Sequence, residues 1–138
     1  MKAIRHAYTR HPWFALVLDI VVVLFFATRG RVSHEMGIDV SGILSTGMPF
    51  LTALLLGWVA LLLVGRNGSV AAAPTRLWLG GIVIWAFTVA GGVLLRVLAG
   101  DTAAMPFVLV TAGVLAALFL LPRLLLHSDR ALRATAAG

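Results

Sequence analysis

Asp19 is a carboxylate set inside the apolar run from about His11 to Thr28. In a hydrocarbon environment such a charge is costly unless it is protonated, paired or hydrated, so its side chain must face other helices or a cavity. Two readings follow: a group that takes up and releases a proton or cation, or a hydrogen-bonded tie between helices. Thr88, Trp85 and Thr111 lie at comparable depth in their own apolar runs and are the expected polar partners.

A second polar cluster follows the same run. Arg29-Gly30-Arg31-Val32-Ser33-His34-Glu35 is joined by Arg96 and Asp101 farther along the chain. Guanidinium groups around a hydroxyl and an imidazole suit the bidentate binding of a carboxylate or phosphate, which makes Arg31, Ser33, His34 and Arg96 candidate anion ligands beside Asp19. The competing reading, favoured by the charge balance, has the arginines reach the headgroups and pair with Glu35, Asp39 and Asp101, leaving a neutral loop.

Other chemistries lack their residues. The chain has no cysteine, so it has no disulfide framework, thiolate metal site or cysteine nucleophile. His6, His11, His34 and His127 form no ligand pair at helical spacing within an apolar run, and neither a metal nor another cofactor is expected. No phosphate-binding loop, Gly-x-Ser-x-Gly elbow or His-Glu-x-x-His helix occurs, so no enzymatic activity is expected.

The elements that must position these residues are transmembrane helices. Of 138 residues, 61% are hydrophobic and 12% charged, with a mean hydropathy of +1.03, too apolar for one small soluble core. Four stretches are long enough to cross a bilayer: about His11 to Thr28, Met48 to Gly65, Leu77 to Leu95, and Thr102 to Pro122. Segments such as LTALLLGWVALLLV lack the alternation of a membrane barrel, so the expected fold is all-α, a single four-helix transmembrane bundle. An aspartate within the first run and Ala27-Thr28-Arg29 at its end suit a retained span better than a cleaved signal peptide.

Eight of the eleven Lys and Arg flank the chain ends and the connection between spans two and three. The excess of positive charge predicts both termini in the cytoplasm and a location in the inner (plasma) membrane. These basic residues are scattered at span ends without stacking aromatics, so the partner they imply is anionic lipid and not nucleic acid.

Within the spans, Ala53, Gly57, Gly81, Thr88, Gly92, Gly113 and Ala117 allow close backbone approach, as in a compact bundle, a homo-oligomer or a complex with another membrane protein. Trp13, Trp58 and Trp78 fall near span ends, where interfacial anchors are common, and Trp85 lies deeper. Met48-Pro49-Phe50 and Met105-Pro106-Phe107 place a proline at the expected starts of spans two and four. Their matched position suggests a duplicated two-helix hairpin.

Asp19, the element Gly30-Arg31-x-Ser33-His34, Pro49-Phe50, Gly57-Trp58, Arg96, Gly100, Phe107 and the closing Pro122-Arg123 together form a pattern. It resembles a family of small prokaryotic four-span membrane proteins, domain of unknown function 3054, over nearly the whole chain from Phe14 to Arg123. The closing motif departs from that pattern, in which an aromatic residue precedes the arginine. The resemblance implies the topology and the residues of interest without implying a reaction. Three functions are compatible with it: a small proton-coupled or anion transporter, an accessory subunit of a larger membrane complex, and a lipid-modifying enzyme using Asp19 and His34.

Overall fold

A computed structural model describes residues 12–33, 36–66 and 80–136, apart from the side chains of Ser33 and of residues 126–136. The described residues form four helices and no strand: α1, Pro12–Ser33; α2, Val40–Gly65; α3, Ile82–Leu98; and α4, Met105–Ala136. In α1, α2 and α4 the segments Pro12–Val32, Val40–Gly65 and Met105–Leu125 are long and apolar enough to cross a membrane, and α3 is a shorter apolar helix. The expected all-α membrane bundle is the observed architecture.

Several boundaries differ from those expected, for a common reason. Helix α2 begins at Val40, about two turns before Pro49, because Asp39 caps it: its carboxylate accepts from the Gly42 N–H at 2.8 Å and from the Ser41 hydroxyl. Pro49 therefore sits inside the helix, whereas Pro106 lies in the first turn of α4 as anticipated. Helix α4 also continues past Pro122 to Ala136. A proline removes one backbone hydrogen bond, but leaving the helix in an apolar environment would expose several, so continuing is the cheaper course. Helix α1 runs to Ser33 and α3 to Leu98, beyond the arginines expected to end them, because Arg31 and Arg96 turn onto the following connections.

The helices run alternately up and down. One end of the bundle gathers the start of α1, the end of α2, the start of α3 and the body of α4 around Arg123; it is called the terminal end below. The other, the hairpin end, holds the α1–α2 and α3–α4 connections. Both turn through a left-handed glycine, Gly37 at φ 68° and Gly100 at φ 92°, a conformation that penalises any side chain.

Helices α2 and α3 make the most extensive contact, and α1 and α4 the slightest of the four principal pairs. Glycine notches explain the close α2–α3 approach. Phe50 fills the space that a side chain at Gly92 would need, and Phe87 lies where one at Gly57 would project, 2.9 Å from that position. Gly81 serves the same purpose for α4, with the Arg123 stem 2.9 Å from where its Cβ would stand. Gly113 does not pack within the chain, which leaves contact with another helix outside it among the roles expected for this glycine. Thr111, Leu115 and Phe119 point inward from α4, and Gly113, about 200° round the helix from Thr111, faces open space. Large apolar side chains on the outer faces, among them Val21, Leu56, Phe87 and Leu109, form a surface suited to lipid.

Candidate functional site

Asp19 lies seven residues into α1, about 10 Å from its start and so in the half of the helix towards the terminal end. Its partner is a charge. Arg123 of α4 reaches across the bundle and grips the carboxylate with both terminal nitrogens, Nη1 to Oδ1 at 3.1 Å and Nη2 to Oδ2 at 2.7 Å. From α2, Trp58 Nε1 donates to Oδ2 at 3.0 Å. Three N–H groups thus converge on one carboxylate, with Asp19 and Arg123 each 3% exposed.

Each element has a reason to deliver its group. Trp58 stands seven residues before the end of α2, matching Asp19 seven residues after the start of the antiparallel α1. Arg123 also donates from Nη1 to the Phe119 carbonyl at 2.9 Å, which fixes its fork, and its guanidinium lies 5.9 Å from the Phe119 ring centre. Its stem runs over Gly81 at the start of α3, so all four helices shape the cluster. Paired and bidentate, the two charges compensate each other in a site that would tolerate neither alone. A proton on Asp19 would remove the charge that attracts Arg123 and weaken the contact. The tie between the first and last helices thus depends on the ionised form of Asp19.

The partners expected for Asp19 serve elsewhere. Trp85 donates to the Ala112 carbonyl at 2.9 Å and pins α3 to α4. Thr88 donates to the Ile84 carbonyl of its own helix at 2.7 Å. Thr111 is buried on α4, and its hydroxyl makes no hydrogen bond among the described residues.

Arg31 is buried at the hairpin end, about 18 Å along α1 from Asp19. It organises the α1–α2 connection, donating to the Gly37 and Met36 carbonyls at 3.0 and 2.6 Å, to Asp39 Oδ1 at 3.0 Å and to the Thr46 hydroxyl at 3.4 Å. Gly42 leaves room for its guanidinium. The Ser41 hydroxyl and the Gly42 N–H hold the Asp39 carboxyl below the usual carboxylate range, and Arg31 adds to them.

Arg96 repeats the device in the second hairpin, donating to the Thr102 carbonyl at 3.2 Å and standing 3.8 Å from Asp101. Its guanidinium also lies 5.0 Å over the Phe107 ring. In both hairpins an arginine, a left-handed glycine, an aspartate and a Pro-Phe pair follow in that order, and the Phe50 and Phe107 rings come within 6.4 Å. The proposed grouping of Asp19 with Arg31, Ser33, His34 and Arg96 is thus divided between two ends. Arg31 and Arg96 serve their own connections, the Ser33 backbone closes α1, and His34 lies outside the described residues. Among the described residues, no three His, Cys, Asp or Glu side chains gather as a metal site would require.

Arg123 and Trp58 are the residues that sequence reasoning missed. Arg123 counts toward topology and Trp58 toward interfacial anchoring when each is read alone. The usable signal was that leucines flank Arg123 on both sides, Leu120 and Leu121 before it and Leu124 to Leu126 after it, so the charge lies within an apolar run and needs an acid.

The family model for proteins of unknown function DUF3054 matches residues 16–126. The chain belongs to this family. No curated protein and no solved structure matches it. Asp19, Trp58 and Arg123, drawn from three helices of this DUF3054 protein, are all residues on which the sequence resemblance rests, and the fold brings them into one cluster.

Proposed function

We propose that this DUF3054 protein is a small proton-coupled transport protein, with no enzymatic role, whose proton-responsive centre is Asp19. The observation that carries the reading is the buried Asp19–Arg123 pair. It joins α1 to α4, which make the slightest contact of the four principal helix pairs, while α2 and α3 are interlocked by aromatic rings in glycine notches. Neutralising Asp19 releases the weakly packed helices and leaves the α2–α3 pair intact, which is the two-state element that alternating exposure needs. The positive flanks favour an orientation with both termini in the cytoplasm, and in this reading the short bundle works as an oligomer.

The test is proton flux into liposomes carrying the purified chain. Wild type should dissipate an imposed pH gradient faster than empty liposomes, and Asp19→Asn should abolish the difference. Equal rates for wild type and Asp19→Asn contradict the reading.

A second reading rests on a different observation, the outward Gly113 and Ala117 of α4, a small-residue face of the kind that receives another membrane helix. It makes the chain an accessory subunit, and recovery of one stoichiometric membrane partner that Gly113→Leu releases would support it.

A further inference from the structure

We propose that the turn between α3 and α4 binds the headgroup of a zwitterionic phospholipid, with the phosphate on Arg96 and a primary ammonium on Asp101. The inference is independent of the transport reading and concerns the end of the bundle opposite Asp19.

The two hairpins carry the same residue types, and the difference between them assigns the site. In the first, Arg31 is closed: it makes four hydrogen bonds, one of them to Asp39 at 3.0 Å, and its side chain is only 10% exposed. Asp39 is engaged in turn by the Ser41 hydroxyl and the Gly42 N–H. In the second, Arg96 makes one hydrogen bond among the described residues, from Nε to the Thr102 carbonyl at 3.2 Å. Its Nη2 stands 3.8 Å from Asp101 Oδ2, beyond hydrogen-bond reach, and the two side chains are 21% and 58% exposed. The Nη groups and the carboxylate thus keep hydrogen-bonding capacity that the described residues do not use.

Local geometry holds this pair side by side. Helix α3 ends in a Schellman turn: the Gly100 N–H donates to the Val97 carbonyl at 3.0 Å and the Asp101 N–H to the Arg96 carbonyl at 3.1 Å, through the left-handed Gly100. That turn sets the Asp101 backbone beside Arg96. The Thr102 carbonyl and the Phe107 ring, 5.0 Å from the guanidinium, orient the arginine. An oriented guanidinium suits a phosphate, which accepts two parallel N–H bonds from it.

The chemistry of the ligand follows from charge and place. Arg96 and Asp101 together carry no net charge, so a zwitterionic headgroup satisfies both, whereas an anionic one would leave Asp101 unmatched beside its phosphate. A primary ammonium donates to a carboxylate. A quaternary one has no N–H and is held by aromatic faces, and here Arg96 already covers the Phe107 ring. Val97, Leu98, Met105 and Leu109 are exposed on either side of the turn and give the acyl chains an apolar bed.

The probes are phosphatidylethanolamine, phosphatidylcholine and phosphatidylglycerol with identical acyl chains. Each is added to the purified full-length chain in detergent, and the readout is the unfolding midpoint. Phosphatidylethanolamine should raise the midpoint saturably by about 4 °C, and the other two by about 1 °C. Asp101→Asn should erase the preference, so that phosphatidylethanolamine and phosphatidylglycerol act alike through Arg96. Arg96→Gln should abolish the saturable response. Equal responses of wild type to the three lipids overturn the proposal, as does an Asp101→Asn variant that keeps the wild-type preference. An undiminished response in Arg96→Gln overturns it too. If Arg96→Gln does not fold, the first two comparisons decide, since neither uses that variant.

Discussion

At the residue scale, the cost of breaking the Asp19–Arg123 pair differs from the cost of replacing it. Removing one partner strands a buried charge and is expected to destabilise by about 3–5 kcal/mol, whereas exchanging both for apolar groups of similar volume can be neutral. Arg123→Met alone should therefore lower the unfolding midpoint strongly, and Asp19→Leu/Arg123→Met should recover most of the loss while remaining inactive in flux. Additive losses in the double variant would show that the two side chains do not interact. Trp58→Phe keeps the ring and removes one bond to a charged acceptor, a loss of about 1.5–3 kcal/mol. These values separate a charge pair that holds function from one that merely adds stability, because the double variant keeps the fold without the proton site.

At the element scale, the interlocked α2–α3 pair and the two arginine latches are independent devices. Gly92→Ala pushes a methyl group into Phe50 and should cost about 1–3 kcal/mol, whereas Gly113→Ala, facing open space, should stay within about 0.5 kcal/mol of wild type in thermal unfolding. The Asp39 latch gives a pH dependence with a definite sign. Its folded carboxyl titrates below its unfolded value, so its contribution to stability is present above the unfolded value and is lost as pH falls through the folded one. Asp39→Asn should flatten that acid limb of the stability curve without touching proton flux. The helices themselves were legible in the sequence because each carries a long apolar run, broken in the first only by Asp19, which needs no knowledge of neighbours. Their ends were less so. Pro49 and Pro122 read as boundaries when local propensity is considered alone, and the requirement to satisfy backbone groups in an apolar environment overrides it. The partner of Asp19 was hidden for another reason: Arg123 lies 104 residues away, and only the packing of α4 across α1 brings the two together.

At the scale of the whole molecule, the bundle has two ends with different work. The hairpin end fixes each connection with an arginine, a left-handed glycine and an aspartate, while the terminal end buries one ion pair contributed by the first and last helices. The central claim is that Asp19 exchanges a proton within the membrane. Infrared difference spectroscopy of the chain reconstituted in lipid, titrated from neutral to acidic pH, reads that event directly. Wild type should gain a protonated-carboxyl band that Asp19→Asn lacks, with a matching change in the arginine modes. A wild-type titration that superimposes on that of Asp19→Asn would contradict the account, because Asp19 would then stay ionised and the pair would be a permanent tie.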